Sequence, residues 1–106
     1  LKYRHGPIDF VLHEHPLAPG FTNMHFTKEK FVDETYWQFR GDSGDVQLLA
    51  SSVEDGAARP QMWTRQIGKG RVFVAIPGHY NWTFDDPVFR MLALRGLCWS
   101  AGQPVD

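Results

Sequence analysis

The sequence predicts an α/β layered fold, in which a mixed sheet with a β-hairpin packs against a helix at the end of the chain. Residues 71–76, RVFVAI, carry five consecutive apolar side chains, as is typical of a strand covered on both faces. Residues 62–67 precede this strand, and the Gly-Lys-Gly sequence at 68–70 suits the tight turn of a hairpin. An apolar segment at 87–101 has helix-start and helix-stop signals on its two sides.

The first part of the chain is predicted to be extended. Residues 8–15, IDFVLHEH, alternate as a strand does, with the apolar side chains on one face and His13 and His15 on the other. Pro16 ends this strand. Residues 26–39 combine aromatic and β-branched side chains with a Lys-Glu-Lys run, so strand and helix both stay open, and we favour extended structure.

The middle of the chain predicts one more strand before the hairpin. Residues 46–53, VQLLASSV, form a strand with a buried middle, between loops predicted at 41–45 and 54–60. In the hairpin, Gly68 and Gly70 are expected to supply the positive φ values that a tight reversal needs.

The last element is predicted to be a helix. Asp86 can cap it, Pro87 suits its first position because proline has no N–H to leave unpaired, and Gly102 can end it. Gly96 is unfavourable inside an exposed helix, so it indicates close packing on a sheet.

The composition gives no sign of a polyanionic partner. The 106 residues include 11 Lys and Arg and 12 Asp and Glu, a net charge of -1, with neither sign in a long run. We therefore expect no nucleic acid and no membrane as partner. The single cysteine, Cys98, excludes an internal disulfide. The start, LKYRHGPIDF, has neither Met nor signal-peptide features, so we expect a piece of a longer protein and leave its compartment open.

Residues 60–102 contain a Trp-Thr strand, a Gly-Lys-Gly-Arg-Val-Phe hairpin, a Gly-His turn, an acidic-Pro helix start and an Arg-Gly-x-x-Trp helix. With these motifs in this order, they resemble the closing segment of the trehalose-utilisation (ThuA-like) family. Residues 15–21, HPLAPGF, and 31–37, FVDETYW, are similar to the family's His-Pro and Asp-Glu-x-Tyr segments. The resemblance implies a glutamine amidotransferase-like, flavodoxin-like fold and a link to sugar metabolism. It also implies that residues 1–106 are the C-terminal portion of one such domain, without its first half.

Two residues are expected to act as acid/base groups. His79 follows the strand at 71–76 and is displaced from it by Pro77-Gly78, and ligands of open α/β sheets bind beyond such strand ends. Glu34 lies in the segment that resembles Asp-Glu-x-Tyr, and a carboxylate with an imidazole can exchange protons with a sugar hydroxyl. The alternatives are an ordinary exposed loop histidine and a solvated acidic turn.

Glutaminase activity is not expected. In the related amidotransferases a His, oriented by a nearby acid, activates a nucleophilic Cys. Here the position two residues after His79 is Asn81 rather than an acid, and Cys98 lies in an apolar helix, where a thiolate is disfavoured.

Further residues are expected to contact a substrate. Aromatic rings can form an apolar platform for a sugar, although each ring is more often part of a core. His13 and His15 are close enough in sequence to bind one metal ion, but no third ligand is near, so we favour structural roles and predict no metal site. The expected substrate-binding residues are Trp63, Tyr36, His15 and Asn81, with Trp82 as a further platform ring and Trp63 in the same concavity as His79.

Two functions remain open from the sequence. One is a carbohydrate-processing enzyme that acts on a sugar or an oxidised sugar; the other is a non-catalytic sugar-binding or protein-interaction module with the same fold. The reaction, the sugar and any cofactor are not identified. The apolar faces of the strand at 71–76 and of the last helix are expected to be covered by the missing half-domain or by a second copy of the chain.

Overall fold

Two small sheets and a C-terminal helix form the structure, a computed structural model that describes residues 1–21, 31–41 and 44–105. The strands are β1 (Lys2–Pro7), β2 (Val11–Leu12), β3 (Val32–Trp37), β4 (Gln47–Glu54), β5 (Ala57–Ile67) and β6 (Gly70–Ala75). A 3-10 helix follows at Asn81–Asp85, and the helix α1 spans Pro87–Ser100. The α/β class, the β5–β6 hairpin and the C-terminal helix are therefore confirmed.

The strands form two separate sheets. β1 pairs with β3, and the second sheet has the order β2-β4-β5-β6. Every pair that the described strands form is antiparallel, so no parallel pair contributes to either sheet there.

The boundaries differ from the predicted ones at three places. The predicted strand at 8–15 is reduced to the two residues of β2, and β1 was not predicted. Residues 54–60, predicted as a loop, instead contain the turn between β4 and β5. Asp55 and Gly56 have φ values of 51° and 74°, the conformation that a two-residue hairpin turn of the Asp-Gly type requires. Residues 26–30 of the predicted extended segment lie outside the described residues.

The β5–β6 hairpin needs one left-handed glycine rather than two. Gly68 has a φ of 59°, whereas Gly70 already pairs with Ile67 at the start of β6. β6 is also less covered than predicted. It lies at the edge of the sheet, and Val72 keeps 38% of its surface exposed because the helix covers one face of the strand only.

The helix α1 is specified as the sequence predicts. The Asp86 side chain accepts a hydrogen bond from the Phe89 N–H at 2.8 Å, and Gly102, with a φ of 72°, follows the last turn. Gly96 is buried against β6, where a Cβ atom would lie 2.5 Å from the Phe73 ring. No helix of the described part of the chain is both long and apolar enough to cross a membrane.

Polar side chains join the two sheets and so fix the position of β3. Gln61 is fully buried; its amide donates to the Tyr36 carbonyl at 3.0 Å and accepts from the Tyr36 N–H at 3.2 Å, as a neighbouring strand would. The register between β4 and β5 shifts on both sides of Ala50, which sets Gln61 out of the regular ladder. Arg4 of β1 binds both oxygens of buried Glu54 at 2.7 and 3.1 Å.

The outer face of α1 stays open in this structure. Leu94 and Leu97 are 57% and 64% exposed, next to the half-buried Met91 and Cys98. The expectation that another part of the protein or a second copy covers this face stays a prediction.

Replacing Gly96 by Ala is expected to destabilise the protein by about 2 kcal/mol, because the new methyl group overlaps the Phe73 ring and this overpacking exceeds the helix-propensity gain. Thermal and urea unfolding measure the change. Leu97→Ala, on the exposed face of the same helix, should change stability by less than about 0.5 kcal/mol. Adding Phe73→Leu to Gly96→Ala should recover part of the loss; equal stability of Gly96→Ala and the wild type would contradict the close packing.

The chain is expected to self-associate through the open face of α1, because exposed Leu side chains at neighbouring positions favour burial. Light scattering over a range of protein concentrations measures the association. Replacing both Leu94 and Leu97 by Glu should shift the population to monomer. Val53→Glu, which adds a charge at an exposed position on β4 instead of on α1, should not. A wild-type chain that stays monomeric at every concentration would rule this out.

Candidate functional site

A fully buried carboxylate, Asp33, lies at the centre of the site. Along β3 the side chains alternate between the two faces, which puts Asp33 inside and its neighbour Glu34 outside. The backbone N–H groups of Gly78 and His79 donate to Asp33 Oδ2 at 3.0 and 3.3 Å, and the Thr83 hydroxyl donates to the same oxygen. The Glu34 N–H donates to Oδ1 at 2.7 Å. Asp33 therefore connects β3 with the segment that follows β6.

His79 is oriented by this carboxylate. Its Nδ1 lies 2.8 Å from Asp33 Oδ1. Burial raises the pKa of Asp33, but the hydrogen bonds from Thr83, from the Glu34 N–H, from His79 and from the Gly78 N–H together hold it below its usual value. The carboxylate is thus ionised and can only accept, so Nδ1 carries the proton of this hydrogen bond and Nε2 is the ring nitrogen left for another partner. The His79 side chain keeps 34% of its surface exposed.

The chain after β6 is shaped to present this imidazole. The Ile76 N–H makes the last sheet bond, to the Gln61 carbonyl at 2.8 Å, and Pro77 cannot continue the ladder. Gly78 has a φ of 132°, which L side chains rarely adopt, and its backbone N–H faces Asp33. The Pro-Gly pair predicted to displace His79 from the strand therefore also supplies an Asp33 donor.

Glu34 is held by two phenols on the other face of β3. The Tyr36 hydroxyl donates to Oε1 at 2.6 Å and the Tyr80 hydroxyl to Oε2 at 2.9 Å. These bonds, from Tyr36 first and Tyr80 second, lower the pKa of Glu34. The hydrogen bond to Glu34 raises the pKa of Tyr36, and burial followed by the same carboxylate raises that of Tyr80. Glu34 is consequently an ionised acceptor flanked by neutral phenols.

Aromatic rings surround this carboxylate and the imidazole. Tyr36 stacks on His79 with ring centroids 5.5 Å apart, and Tyr3 stacks on Tyr36 with ring centroids 5.6 Å apart. Tyr80 and Trp82 are parallel at 4.4 Å, and the Trp82 indole N–H donates to the Val32 carbonyl. We call the set of Tyr3, Glu34, Tyr36, His79, Tyr80 and Trp82 the aromatic cluster. It joins His79 to Glu34 through Tyr36, which contacts both.

Trp63 does not belong to the aromatic cluster. It packs edge to face against Phe39, at a centroid distance of 6.0 Å, and lines a separate cleft with Trp37. The expectation that it shares a concavity with His79 is therefore wrong. The physical reason is the direction of the side chain: Trp63 pairs with Val74, next to the end of β6, but its ring packs toward Phe39 and Trp37 rather than toward the residues that follow the strand.

His15 is part of the core rather than of an open site. It is buried, its Nδ1 accepts from the Leu17 N–H at 3.0 Å, and its Nε2 lies 2.7 Å from the Thr64 hydroxyl. Both ring nitrogens are thus engaged, which leaves none for a substrate. His13 bonds instead to Ser51, at 2.7 Å, and within the described residues no group of three His, Cys, Asp or Glu side chains could hold a metal ion.

Asn81 and Cys98 occupy different surroundings. Asn81 is exposed at the start of the 3-10 helix, between Tyr80 and Trp82 in the chain. Cys98 is half-buried and lines a shallow depression on α1 with Met91. Asn81 therefore stands at the edge of the aromatic cluster, and Cys98 lies on the helix.

Sequence reasoning missed Asp33, Tyr80 and Thr83. The pattern of the related amidotransferases predicts the orienting acid two residues after the histidine, whereas Asp33 lies 46 residues before His79. The alternation of side chains along the strand at residues 33–37, DETYW, is the sequence feature that could have identified Asp33. It sets Asp33 and Glu34 on opposite faces, and a carboxylate on the inner face of a strand must find donors there.

The comparison with protein families agrees with the resemblance seen in the sequence. The family model ThuA, described as trehalose utilisation, matches residues 3–100. The chain has no significant match among curated proteins or among solved structures.

The stability of the protein is expected to fall when the pH drops below about 6.5, because burial lowers the pKa of His15 in the folded state. The unfolded chain then binds a proton that the folded chain does not, so acid favours unfolding until the folded imidazole is also protonated. Urea unfolding at a series of pH values from about 7.5 to 5 measures the slope. His15→Gln should flatten it, while His13→Gln should retain it; an unchanged slope in His15→Gln would contradict the assignment.

Proposed function

The chain belongs to the ThuA family of trehalose utilisation, and on this premise we propose that it binds a sugar, or an oxidised sugar, at the aromatic cluster, where His79 transfers a proton. The observation that carries the proposal is the His79–Asp33 pair, in which a partly exposed imidazole is held through Nδ1 by a fully buried carboxylate.

His79 is the acid/base group of the proposed site. With Nδ1 protonated and bonded to Asp33, Nε2 can take the proton of a sugar hydroxyl, and the ionised carboxylate stabilises the imidazolium that results. The same nitrogen can return the proton to an oxygen of the product. Asp33 acts through His79 and is therefore a positioning residue.

Glu34 fits the role of a hydrogen-bond acceptor better than that of a proton donor. Its lowered pKa keeps it ionised near neutral pH, so it can accept from sugar hydroxyls or act as a base, but it has no proton to give. Tyr36 and Tyr80 already donate to it, which holds the carboxylate in one orientation.

The aromatic rings supply the apolar part of the proposed site. A sugar ring presents C–H groups on its faces and hydroxyls around its rim, so it can pack on a flat aromatic surface while its hydroxyls bond to neighbouring polar groups. Trp82 is 49% exposed and lies parallel to Tyr80, which supports this pair as the platform. Exposed Asn81 is the neighbouring amide.

The same stacked pair supports a second candidate function, a non-catalytic sugar-binding module. An exposed platform beside an ionised acceptor binds a polyol without any proton transfer, and the fold alone does not decide between the two functions. An enzyme should lose turnover but keep sugar binding when His79 is replaced, whereas a binding module shows no turnover even in the wild type.

We also retain the finer fold assignment as a proposal. The hairpin that leads into His79 and the helix packed on its last strand support a flavodoxin-like, glutamine amidotransferase-like arrangement, of which residues 1–106 would be the C-terminal portion.

His79→Asn is expected to leave folding and binding nearly unchanged and to lower turnover by about 10²- to 10⁴-fold, because the amide can still donate to Asp33 but cannot act as a base. Trehalose and a keto derivative of trehalose serve as ligands, with proton NMR of the sugar to follow turnover and Trp fluorescence to follow binding.

His13→Asn, a histidine outside the aromatic cluster, is the matched control and should retain both properties. Trp82→Ala should weaken binding about tenfold through loss of the platform. Binding without turnover in the wild type would favour the module, and no binding of either sugar would refute both functions.

A further inference from the structure

Glu34 carries negative charge at an accessible position of the aromatic cluster. The residue is half-buried on β3 and lies opposite His5 of β1 in the pairing of the two strands. The Tyr36 and Tyr80 hydroxyls each donate to one of its oxygens, at 2.6 and 2.9 Å. A carboxylate oxygen accepts two hydrogen bonds, so each of the two oxygens retains capacity for a donor of a ligand.

The two phenols extend this acceptor surface. Because the hydroxyl protons of Tyr36 and Tyr80 point to Glu34, the lone pairs of the phenol oxygens are available to a ligand. A hydrogen bond to a carboxylate also draws the hydroxyl proton toward it and makes the phenol oxygen more negative. The carboxylate and the two phenol oxygens therefore form one surface that attracts positive charge.

Aromatic rings flank this surface. Tyr3 stacks on Tyr36 with ring centroids 5.6 Å apart, and Trp82 stacks on Tyr80 at 4.4 Å. His5 packs edge to face against Tyr80, with ring centroids 5.5 Å apart. Tyr3 and Trp82 keep 65% and 49% of their surface exposed, so part of each ring is open to a ligand. The face of an aromatic ring is its electron-rich region and attracts cations.

The strand β1 turns its two basic side chains away from Glu34. Alternate residues of a strand face opposite sides, so Lys2 and Arg4 point away from the face on which the cluster lies. Each forms a salt bridge there, Lys2 with Asp55 at 2.8 Å and Arg4 with Glu54 at 2.7 Å. Neither of them neutralises Glu34.

The imidazole of the cluster is engaged with another carboxylate. His79 stacks on Tyr36, but its Nδ1 is bonded to Asp33 at 2.8 Å. A positive charge on this ring would therefore first balance the buried Asp33. The carboxylate of Glu34 is held by neutral phenols instead, and a cationic ligand fits this arrangement.

We propose that Glu34 and the rings around it bind a small organic cation, an ammonium group carried on a polyol or on an apolar body. The positive charge lies against the carboxylate and the two phenol oxygens, and the carbon atoms next to the nitrogen pack on the rings. A quaternary amine and an amino sugar share this chemistry, and separate probes distinguish them.

This inference concerns the same surface as the proposed function but rests on the charge of Glu34 instead of on proton transfer by His79. A cation can bind where no sugar is turned over, and a neutral sugar can bind where no cation is preferred. The two proposals can therefore fail separately.

The test titrates the protein with choline and with glucosamine near neutral pH. The neutral controls are glucose and the carbon analogue of choline, in which a tert-butyl group replaces the trimethylammonium group. In a proton–nitrogen NMR spectrum, the indole N–H signal of Trp82 reports on the cluster, and those of Trp63 and Trp99 report on other places. A cation should shift the Trp82 signal with a dissociation constant on the order of millimolar, at least tenfold lower than that of its neutral control.

The pattern of binding identifies the kind of cation. Binding of choline alone assigns the site to quaternary amines, binding of glucosamine alone assigns it to amino sugars, and binding of both assigns it to either. This comparison uses the wild-type protein and so does not depend on the folding of a variant.

Charge-neutralising variants complete the test. Glu34→Gln keeps an acceptor oxygen for a phenol but removes the charge, so it should weaken cation binding about tenfold. Glu14→Gln makes the same change in net charge at an exposed position outside the cluster and should leave binding nearly unchanged. Equal losses in the two variants would refute the inference, as would equal affinity for charged and neutral probes or no shift of Trp82 with either cation. Trehalose that binds as a neutral sugar would in that case leave the proposed function standing, whereas cations that bind without any neutral sugar would refute the proposed function alone.

Discussion

The need to compensate one buried negative charge governs the arrangement of the proposed site. An ionised carboxylate without contact to water is unfavourable unless donors surround it. Asp33 is met by the backbone of Gly78, by both the backbone and the ring of His79, and by the hydroxyl of Thr83, all of which come from residues after β6. The segment after the hairpin therefore has to fold against β3, and the orientation of the imidazole follows from that contact.

This arrangement requires β3 to stay in place, although β1 is its only strand partner among the residues that the structure describes. Side chains take over the role of a ladder here. Gln61 bonds both to the N–H and to the carbonyl of Tyr36, and Arg4 ties β1 to buried Glu54 of the larger sheet. Such buried polar bonds are strong when every group is satisfied, and they also fix one register. The rigidity that keeps Asp33 and His79 in place thus comes from polar bonds between the sheets, in addition to the apolar core under α1.

The alternation of β3 gives the two sides of this strand different chemistry. On one side, Glu34 and Tyr36 form a surface of rings around an ionised acceptor, next to His79. On the other side, Trp37 leads into a cleft whose charged residues are arginines.

The sequence by itself determined the local features of this protein. The capped helix at Pro87–Ser100, the turn at Gly68, the close packing of Gly96 and the presentation of His79 all follow from residue types at short spacing, because caps, glycine turns and proline act within a few residues. The family also follows from such spacings.

Only the tertiary structure decided which distant groups meet. Asp33 and His79 are 46 residues apart, and the local sequence pattern around either residue does not predict contact with the other. The sequence predicts His15 at the site, but the residue is buried, because its ring forms a hydrogen bond with the Thr64 hydroxyl in the core. Trp63 likewise lies in the separate cleft that it lines with Trp37, away from His79. The reason is physical: a side chain on a strand has two possible faces and many possible neighbours, and the choice is made by the packing of whole sheets, which single-chain periodicity does not encode.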